Sequence, residues 1–225
     1  MAYYALGLDF GTESARALLA STATGEEAGS VVFPYPHGVI DRELNGVLLD
    51  HDSALQHPAD YLEFLRQAIP QLLRQAGVRA EQVAGIGVDF TSCTVLPTDD
   101  AGRPLCLRPE FERNPHAYVK LWKHHAAQPD AERLNAVARE RGEAFLANYG
   151  GAISAEWFFP KVLEVARKAP EVYRAAARFI EAGDWLVWQL TGQEARSACQ
   201  AGYKAMWDPE QPRDSGYPSA GFLAA

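Results

Sequence analysis

One motif occurs twice in this chain, and it constrains the fold more than any other feature. Residues 6–12 read LGLDFGT, and residues 86–91 read IGVDFT. Each copy is a short apolar run that contains a glycine and ends in Asp-Phe followed by a threonine, which is typical of a buried strand with a carboxylate at its end. Ligands of open α/β sheets bind just outside the carboxyl ends of the strands. Asp9 and Asp89 are therefore predicted to line one cleft, and the repeat favours a nucleotide-dependent enzyme of small polar substrates.

Three short apolar runs open the chain. They cover Tyr3–Asp9, Ala15–Ser21 and Glu27–Phe33, and the polar turns between them are only a few residues long. A parallel connection needs a dozen residues or more, so these turns predict an antiparallel meander. Residues 34–56 are rich in Pro, Gly, His and Asp and predict a loop or small excursion.

A helix and a further strand are predicted after this loop. Apolar residues at helical spacing predict a helix over Pro58–Ala76, kinked at Pro70 and ended by Gly77. The apolar run Val83–Asp89 predicts a central strand buried on both faces. This element order is that of the ribonuclease-H-like fold, which also underlies actin-like and sugar-kinase ATPase domains. We therefore predict an α/β domain of this kind, with a mixed sheet and added helices.

The second half of the chain is predicted to be mostly helical. Helices are expected over Tyr118–Ala127, Asp130–Arg141, Ala155–Arg167 and Pro170–Ala177, and from the capping residue Asp184 to Leu190. Val95–Thr98 and Pro104–Cys106 are expected to form a hairpin, and Arg178–Glu181 a short strand. The segment from Pro212 to the last residue combines turn residues with an apolar ending that lacks a cap. Trp207 and Phe222 are expected to be exposed where a missing part of a longer chain would pack.

Composition excludes several classes of protein. The net charge is −8 and Lys and Arg are not clustered, which argues against a nucleic-acid binder. No apolar stretch approaches the roughly 18 residues of a membrane span. Cys93, Cys106 and Cys199 are scattered without a Cys-x-x-Cys spacing, so neither a zinc site nor a disulfide framework is supported. Buried, reduced thiols in a cytoplasmic protein are expected, and the N-terminus lacks the basic region of a secretory signal.

The turn that follows Asp9 is the first candidate site. Gly11 allows backbone N–H groups to face an anion, and Thr12 and Ser14 add hydroxyl groups. Arg16 can offset phosphate charge, and Asp9 can hold Mg²⁺ directly or through water. The alternative is an ordinary β-hairpin with a polar turn, in which Asp9 only caps the end of a strand.

Further candidates lie outside this turn. The second copy has no glycine after its aspartate, so Asp89 and Ser92 are interpreted as a wall that hydrogen-bonds a substrate, or else as a simple Asx or Ser/Thr turn. Trp122, in the segment KLWKHH, is placed to stack on a sugar while a neighbouring Lys or His bonds its hydroxyl groups. The adjacent histidines of this segment face different directions on a helix and do not predict a metal site. Lys204 either reaches a substrate oxygen or extends to solvent.

Together these segments resemble the FGGY family of carbohydrate kinases, and most closely its members that phosphorylate L-ribulose. The resemblance rests on LDFGTESARA (8–17), GVDFTSCTVLP (87–97), NPHAYVKLWKHHAA (114–127), YGGAISAEWFFPK (149–161), GDWLVWQLTG (183–192) and CQAGYKAMW (199–207). It covers nearly the whole chain. The block at 114–127 is its most specific part, because other members usually carry an acidic residue and an arginine soon after the tryptophan.

The resemblance implies ATP-dependent phosphorylation of L-ribulose to L-ribulose 5-phosphate, in the breakdown of L-arabinose. It assigns the ATP phosphates and Mg²⁺ to Asp9, Gly11, Thr12 and Arg16. It assigns the sugar to Ser92, Trp122 and Lys204, in a pocket that Asp89 shapes.

The resemblance also implies that residues 1–225 form the N-terminal sugar-binding domain, shortened at its C-terminal end. The catalytic aspartate and the adenine-binding domain are then expected beyond Ala225, and the fragment is expected to be inactive alone. ATP and a ketopentose are the expected partners, without nucleic acid or membrane, and a homodimer of the longer enzyme is compatible with the sequence. The alternatives are another ketopentose or pentitol kinase of the family and a non-catalytic sugar-binding module.

Overall fold

Residues 2–211 and 216–225 are described by the structure, which is a computed structural model. Positions 212–215 of the predicted terminal turn lie outside the described residues. The chain divides into two units. The first holds the residues up to Ile40 together with Gln56–Thr91, and the second holds Asp41–Leu55 together with Ser92–Ala225.

Strands make up most of the first unit and helices most of the second. The strands are β1 (Tyr4–Phe10), β2 (Ser14–Ser21), β3 (Glu27–Pro34), β4 (Glu43–Leu44), β5 (Val47–Leu48), β6 (Leu55–Gln56), β7 (Val83–Phe90), β8 (Val95–Thr98), β9 (Val119–Lys120) and β10 (Arg178–Glu181). The α-helices are α1 (Pro58–Ala76), α2 (Gln128–Arg141), α3 (Phe158–Lys168), α4 (Pro170–Ala175), α5 (Ala182–Thr191), α6 (Ala198–Lys204) and α7 (Ala220–Leu223).

The first unit is a four-stranded sheet with one long helix. Strands β1, β2 and β3 are antiparallel neighbours, as their short turns predict, and β7 joins β1 in parallel to give the order β3-β2-β1-β7. Helix α1 begins after His57, whose ring accepts the backbone N–H of Ala59, and it continues through Pro70. It ends at Gly77, whose φ of 66° is in the left-handed region that glycine tolerates.

Helix α1 supplies the aromatic packing for one face of this sheet. The ring of Phe10 lies 5.8 Å from that of Tyr61 and 5.2 Å from that of Phe64, both edge-on, and it stacks on Phe90 at 5.1 Å. Because side chains alternate along a strand, the neighbours of these phenylalanines, such as Asp9, point to the opposite face.

Strand β7 is not the central buried strand that its apolar sequence predicts. It lies at the edge of the four-stranded sheet, and Gly85, Ile86 and Gly87 are exposed, with Ile86 retaining 52% of its accessible surface. Leu18 and Val32 are exposed as well. An apolar sequence allows a strand to be buried. Whether the strand is buried also depends on the other strands and helices that cover it.

The second unit packs helices around short strands. The other four-stranded sheet has the order β10-β8-β9-β6, in which Leu55 of β6 belongs to the second unit, and β4 pairs with β5. Trp185 of α5 is fully buried, and its indole N–H donates to the carbonyl oxygen of Gly102 at 2.7 Å. Phe222 is also buried, in a cluster with Met206, so its predicted exposure is wrong.

Several predicted elements of the second unit differ in the structure. Residues 118–127 contain strand β9 and turns instead of a helix, because the segment threads through the core and buries residues on several sides. The expected hairpin is reduced to one bridge between Thr98 and Pro104. Helix α5 begins after Glu181, so Asp184 lies in its first turn and is not its cap. The apolar ending does have a cap, since Ser219 accepts the backbone N–H of Phe222.

Within residues 2–211 and 216–225, no helix combines the length and the apolar character needed to cross a bilayer. Cys93 and Cys106 are buried, as expected, whereas Cys199 is exposed.

Candidate functional site

Three charged side chains lie together on the open face of the first unit's sheet. Asp9 of β1 is in register with Arg16 of β2 on one side and with Asp89 of β7 on the other. Adjacent strands are about 4.8 Å apart, so the two carboxylates are direct neighbours. Each precedes a phenylalanine that faces α1, which fixes the aspartates on the opposite face. The motif that occurs twice therefore places its two aspartates side by side.

An exposed ion pair joins two of these charges. A guanidinium nitrogen of Arg16 lies 3.0 Å from a carboxylate oxygen of Asp9, and each side chain keeps about half of its accessible surface. Ion pairs this exposed stabilise a fold by at most about 1 kcal/mol. A cation at Asp9 and a phosphate at Arg16 can thus replace the pair at little cost. With two carboxylates and one guanidinium, this cluster carries a net negative charge that favours a cation.

The turn after β1 depends on close approach of the backbone. The N–H of Gly11 donates to the carbonyl oxygen of Ser14 at 3.0 Å, and a Cβ at position 11 would lie only 3.1 Å from that oxygen. The amide of Gln56 donates to the carbonyl oxygens of Gly11, at 3.2 Å, and Thr12, at 2.7 Å. Gln56 is itself held by the hydroxyl of Tyr61, which donates to its amide oxygen at 2.6 Å. A buried polar chain from α1 thus supports the turn.

A cavity of about 640 Å³ opens on the same face of the sheet. All four strands of the first unit line it, and Asp9, Arg16 and Asp89 are among the lining residues. Its remaining walls are largely apolar or glycine, including Gly7 and Gly87. The carboxylates therefore lie beside a space large enough for a small ligand.

In the second unit, Ser92 precedes a residue with a strained backbone. Cys93 has a φ of 64°, which is uncommon for a residue other than glycine, and its side chain is fully buried. The ammonium of Lys161 donates to the carbonyl oxygens of Cys93 and, at 2.8 Å, of Leu121. Burial lowers the pKa of Lys161 to about 8. One buried lysine thus ties the turn next to Ser92 to the segment next to Trp122.

The segment around Trp122 is anchored by buried charges. The carboxylate of Glu164 lies 2.9 Å from the ammonium of Lys120 and 2.8 Å from the ring of His124, and all three side chains are nearly inaccessible. Burial, followed by the charge of Lys120, lowers the pKa of His124 to about 3. Trp122 itself remains 39% exposed. The expectation that a neighbouring Lys or His contacts a sugar is therefore wrong for Lys120 and His124, which are bonded inside the protein.

Lys204 lies at the end of α6, beside an acidic side chain and an aromatic ring. Its ammonium is 3.5 Å from a carboxylate oxygen of Glu156 and 5.3 Å from the ring centre of Tyr203. Its charge, together with that of Lys161, opposes the rise that burial and Glu181 cause in the pKa of the Cys93 thiol, which reaches about 12. The charge of Lys204 therefore acts on the turn after Ser92.

The structure thus forms two sets of predicted site residues, one in each unit. Asp9, Gly11, Thr12, Arg16 and Asp89 lie around one end of the first sheet. Lys161 binds the carbonyl oxygens of Cys93 and Leu121, which are the residues next to Ser92 and Trp122. The charge of Lys204 acts on the turn that contains Cys93.

Sequence reasoning missed two supporting residues, Gln56 and Lys161. Gln56 lies at the end of a segment interpreted as loop, and no local signal marks it. Lys161 could have been found from the sequence, because it lies within the apolar run FFPKVL. A lysine in such a run is buried only when its charge has partners, which marks it as a structural support.

The fold is that of known sugar kinases. A ligand-bound xylulose kinase from Lactobacillus acidophilus superposes with a TM-score of 0.70 at 16% identity, over 99% of this chain and 39% of that one. A xylulose kinase from Rhodospirillum rubrum gives a TM-score of 0.70 at 19% identity, over 98% of this chain and 40% of that one. The predicted ribonuclease-H-like, actin-like α/β fold with a mixed sheet is confirmed.

The chain belongs to the FGGY family of carbohydrate kinases, whose N-terminal domain matches residues 4–211. A ribulokinase from Geobacillus thermodenitrificans is 50% identical over 224 residues, which is 99% of this chain and 39% of the relative. A ribulokinase from Bacillus licheniformis is 53% identical over 214 residues, 94% of this chain and 38% of the relative. The chain therefore spans about two fifths of the length of these curated relatives.

Proposed function

We propose that this chain is the sugar-binding part of an ATP-dependent kinase that phosphorylates L-ribulose to L-ribulose 5-phosphate, a step in the breakdown of L-arabinose. The observation that carries the proposal is its identity of about one half, over nearly its whole length, with proteins named ribulokinase. The arrangement of two aspartates beside a glycine turn supports the same chemistry.

In this proposal the first unit handles the phosphates of ATP. Asp9 holds Mg²⁺, and Mg²⁺ suits the site because it is bound in enzymes by one or two carboxylates together with phosphate oxygens. When bound, the ion offsets the negative charge that develops on the transferred phosphoryl group. Gly11, whose own N–H is bonded to Ser14, shapes the turn, while the hydroxyl of Thr12 faces the phosphates and Arg16 exchanges its bond to Asp9 for a phosphate oxygen.

The second unit supplies contacts to the sugar. Trp122 presents an exposed ring face against the carbon skeleton, while Ser92 and Lys204 bond hydroxyl oxygens. Asp89, which lies beside Asp9 in the first unit, does not accept the proton. The strained turn at Cys93, held by Lys161, positions Ser92, and strained backbone of this kind clusters at functional sites.

Phosphoryl transfer depends on positioning and charge stabilisation, with one carboxylate to accept the proton of the attacking hydroxyl group. The proposal assigns that proton acceptor and the contacts to adenine to a part of the kinase outside these 225 residues. The chain alone is then expected to bind sugar without turnover.

A first experiment measures this chain by itself. Titration calorimetry with L-ribulose, D-ribulose and D-xylulose is run beside an assay of ADP release with Mg-ATP and each sugar. We expect saturable binding that is tightest for L-ribulose, and no ADP release. Tighter binding of another sugar would support a different kinase of the family. Turnover with any of them would contradict the assignment of the proton acceptor.

A second experiment uses the longer kinase that carries these residues. Asp9→Asn should abolish turnover while leaving sugar binding unchanged, because the aspartate acts only on the phosphate side. Glu13→Gln is the matched control, since it removes an exposed carboxylate from the same turn. Trp122→Ala should instead weaken L-ribulose binding. Full activity of the Asp9→Asn enzyme would refute the phosphate-site assignment.

A further inference from the structure

Two histidines and an aspartate lie together in the first unit, apart from the residues used above. Within residues 2–211 and 216–225, His37, His57 and Asp60 form the one group of three or more such side chains whose potential ligand atoms all lie within 4.8 Å of one another. His37 comes from the loop after β3, whereas His57 and Asp60 lie three residues apart at the start of α1. Residues three apart on a helix are surface neighbours, so this spacing brings two ligands together on one side of α1.

Asp60 is a buried carboxylate, and each of its two oxygens contacts His37. One oxygen lies 2.6 Å from Nδ1 of His37, and the other accepts the backbone N–H of the same residue at 3.1 Å. The side chain of Asp60 is 2% exposed, and that of His37 is 49% exposed. The rings of His37 and His57 are stacked, with centres 4.2 Å apart and planes 15° apart. A buried anion thus lies beneath an imidazole that is open to solvent.

We propose that His37, His57 and Asp60 form a binding site for a divalent transition-metal ion, with Zn²⁺ the best match. Two imidazole nitrogens and one carboxylate oxygen are a common ligand set for Zn²⁺, with water in the fourth position. Bond lengths of about 2.0–2.1 Å in tetrahedral geometry place ligand atoms about 3.3 Å apart. The 2.6 Å contact between His37 and Asp60 must open by less than an ångström, and His57 must approach by a ring rotation.

Binding replaces the proton between His37 and Asp60 by the ion. The ion takes the lone pair on the nitrogen of His37 that faces Asp60, and the proton on that nitrogen leaves; a neutral ring takes up a proton at Nε2 in exchange, whereas an imidazolium already carries one there and releases the other to solvent. If His57 binds the ion through Nε2, it loses the hydrogen bond that caps α1. Its Nδ1 now accepts the N–H of Ala59 at 3.2 Å, and a ring that binds metal through Nε2 carries its proton on Nδ1. The site therefore exchanges a helix cap for a metal bond, and the ion in turn joins the loop to α1.

A nearby hydroxyl group supports a ligand at this position. The hydroxyl of Tyr35 is buried and has no hydrogen-bond partner among the described residues. The ring of Tyr35 lies edge-on to that of Tyr61, the residue next to Asp60 in α1, with ring centres 5.5 Å apart. A buried hydroxyl group without a partner is rare in native proteins. Water bound to an ion at Asp60 is a suitable partner for it.

The test measures ion binding by the metal-free chain. After treatment with a chelator, the chain is titrated with Zn²⁺ by calorimetry and with Co²⁺ by visible absorption, which reports tetrahedral coordination. We expect one ion per chain, a rise in the thermal unfolding midpoint with Zn²⁺, and at least tenfold weaker binding in the variants His37→Gln and His57→Asn. These substitutions preserve the fold, because glutamine can still donate to Asp60 and asparagine is a good helix cap.

Two control variants identify the position of the ion. His51→Gln removes a histidine that lies 2.9 Å from Asp52 and that belongs to no group of three potential ligands in the described part of the chain, so this variant should bind Zn²⁺ as the unsubstituted chain does. Asp9→Asn should also leave Zn²⁺ binding unchanged, which separates this site from the proposed nucleotide site. The proposal is overturned if no saturable binding occurs, if His37→Gln and His57→Asn bind as tightly as the unsubstituted chain, or if Asp9→Asn abolishes binding.

Discussion

Replacing His124 with glutamine is expected to change how the stability of this chain depends on pH. The ring is 1% exposed, its Nδ1 accepts the backbone N–H of Ala54 at 3.1 Å, and its Nε2 lies 2.8 Å from Glu164. Burial and the charge of Lys120 lower its pKa from 6.5 to about 3. A glutamine amide has both an acceptor and a donor to replace these bonds, but it does not titrate.

The sign follows from proton binding. Between about pH 3 and 6.5 the unfolded chain protonates this histidine and the folded chain does not, so the free energy of unfolding falls as the pH falls. At about pH 5, roughly 1.5 units below the ordinary histidine pKa, the folded ring is still neutral. The contribution of His124 to the loss of stability is then about 2 kcal/mol relative to about pH 8, at about 1.4 kcal/mol per unit.

Urea unfolding followed by tryptophan fluorescence measures this difference. The free energy of unfolding is determined at about pH 8 and about pH 5 for the unsubstituted chain and for His124→Gln. The loss between the two pH values should be about 2 kcal/mol smaller in the variant. His116, whose pKa is lowered to about 4 chiefly by burial, should give a change of the same sign when replaced by glutamine. Equal losses in the unsubstituted chain and His124→Gln would refute the reasoning, because His124 would then titrate alike in both states.

Three further substitutions test the supports of the candidate site and the packing of the second unit. Gln56→Leu leaves two carbonyl oxygens of the turn after β1 without their donor. We expect the free energy of unfolding, measured in urea, to fall by about 1–3 kcal/mol. An unchanged free energy would show that the turn does not need this support. Lys161→Met should weaken L-ribulose binding about tenfold in calorimetry, because a small displacement of the groups that contact a ligand lowers its affinity strongly. An unaltered affinity would show that Lys161 does not position the sugar site. Gly102→Ala should destabilise the fold by about 1–3 kcal/mol and lower the thermal unfolding midpoint. The backbone φ at this position is +76°, and the added Cβ would lie 2.9 Å from the ring of Trp188. An unchanged midpoint would contradict this close contact.

The sequence predicts the fold best where local chemistry decides it. Short polar turns force antiparallel pairing, so β1, β2 and β3 follow directly from the spacing of apolar runs. Helix α1 is bounded by Pro58 and Gly77, whose backbone preferences allow little else. Residues 118–127 are different, because contacts with distant parts of the chain bury Tyr118–Leu121 and His124 while Trp122 stays exposed. The carboxylate that neutralises Lys120 is contributed by Glu164, and a local pattern cannot reveal such a partner.

The candidate site shows the same division. Asp9 and Asp89 could be found because each ends an apolar run, and parallel register then places them side by side. Gln56 could not be found in this way, since its role depends on a turn 44 and 45 residues earlier in the chain. The family resemblance, which uses motifs along the whole chain, predicted the membership that the comparisons confirm. The roles of individual residues in binding remain predictions.

The exposed edge of β7 has a consequence for handling this chain in solution. Strand edges with free N–H and C=O groups pair readily with other strands, and proteins usually protect them with lysine, proline or a bulge. Along Val83–Val88 the sequence VAGIGV contains no charge and no proline, and Ile86 is half exposed beside two glycines. Concentrated samples are thus expected to associate edge to edge and form sheets between molecules. Gly85→Lys should keep the chain dispersed and leave the face that packs on α1 unchanged, because position 85 lies on the same face of β7 as Asp89 and a side chain there meets open space.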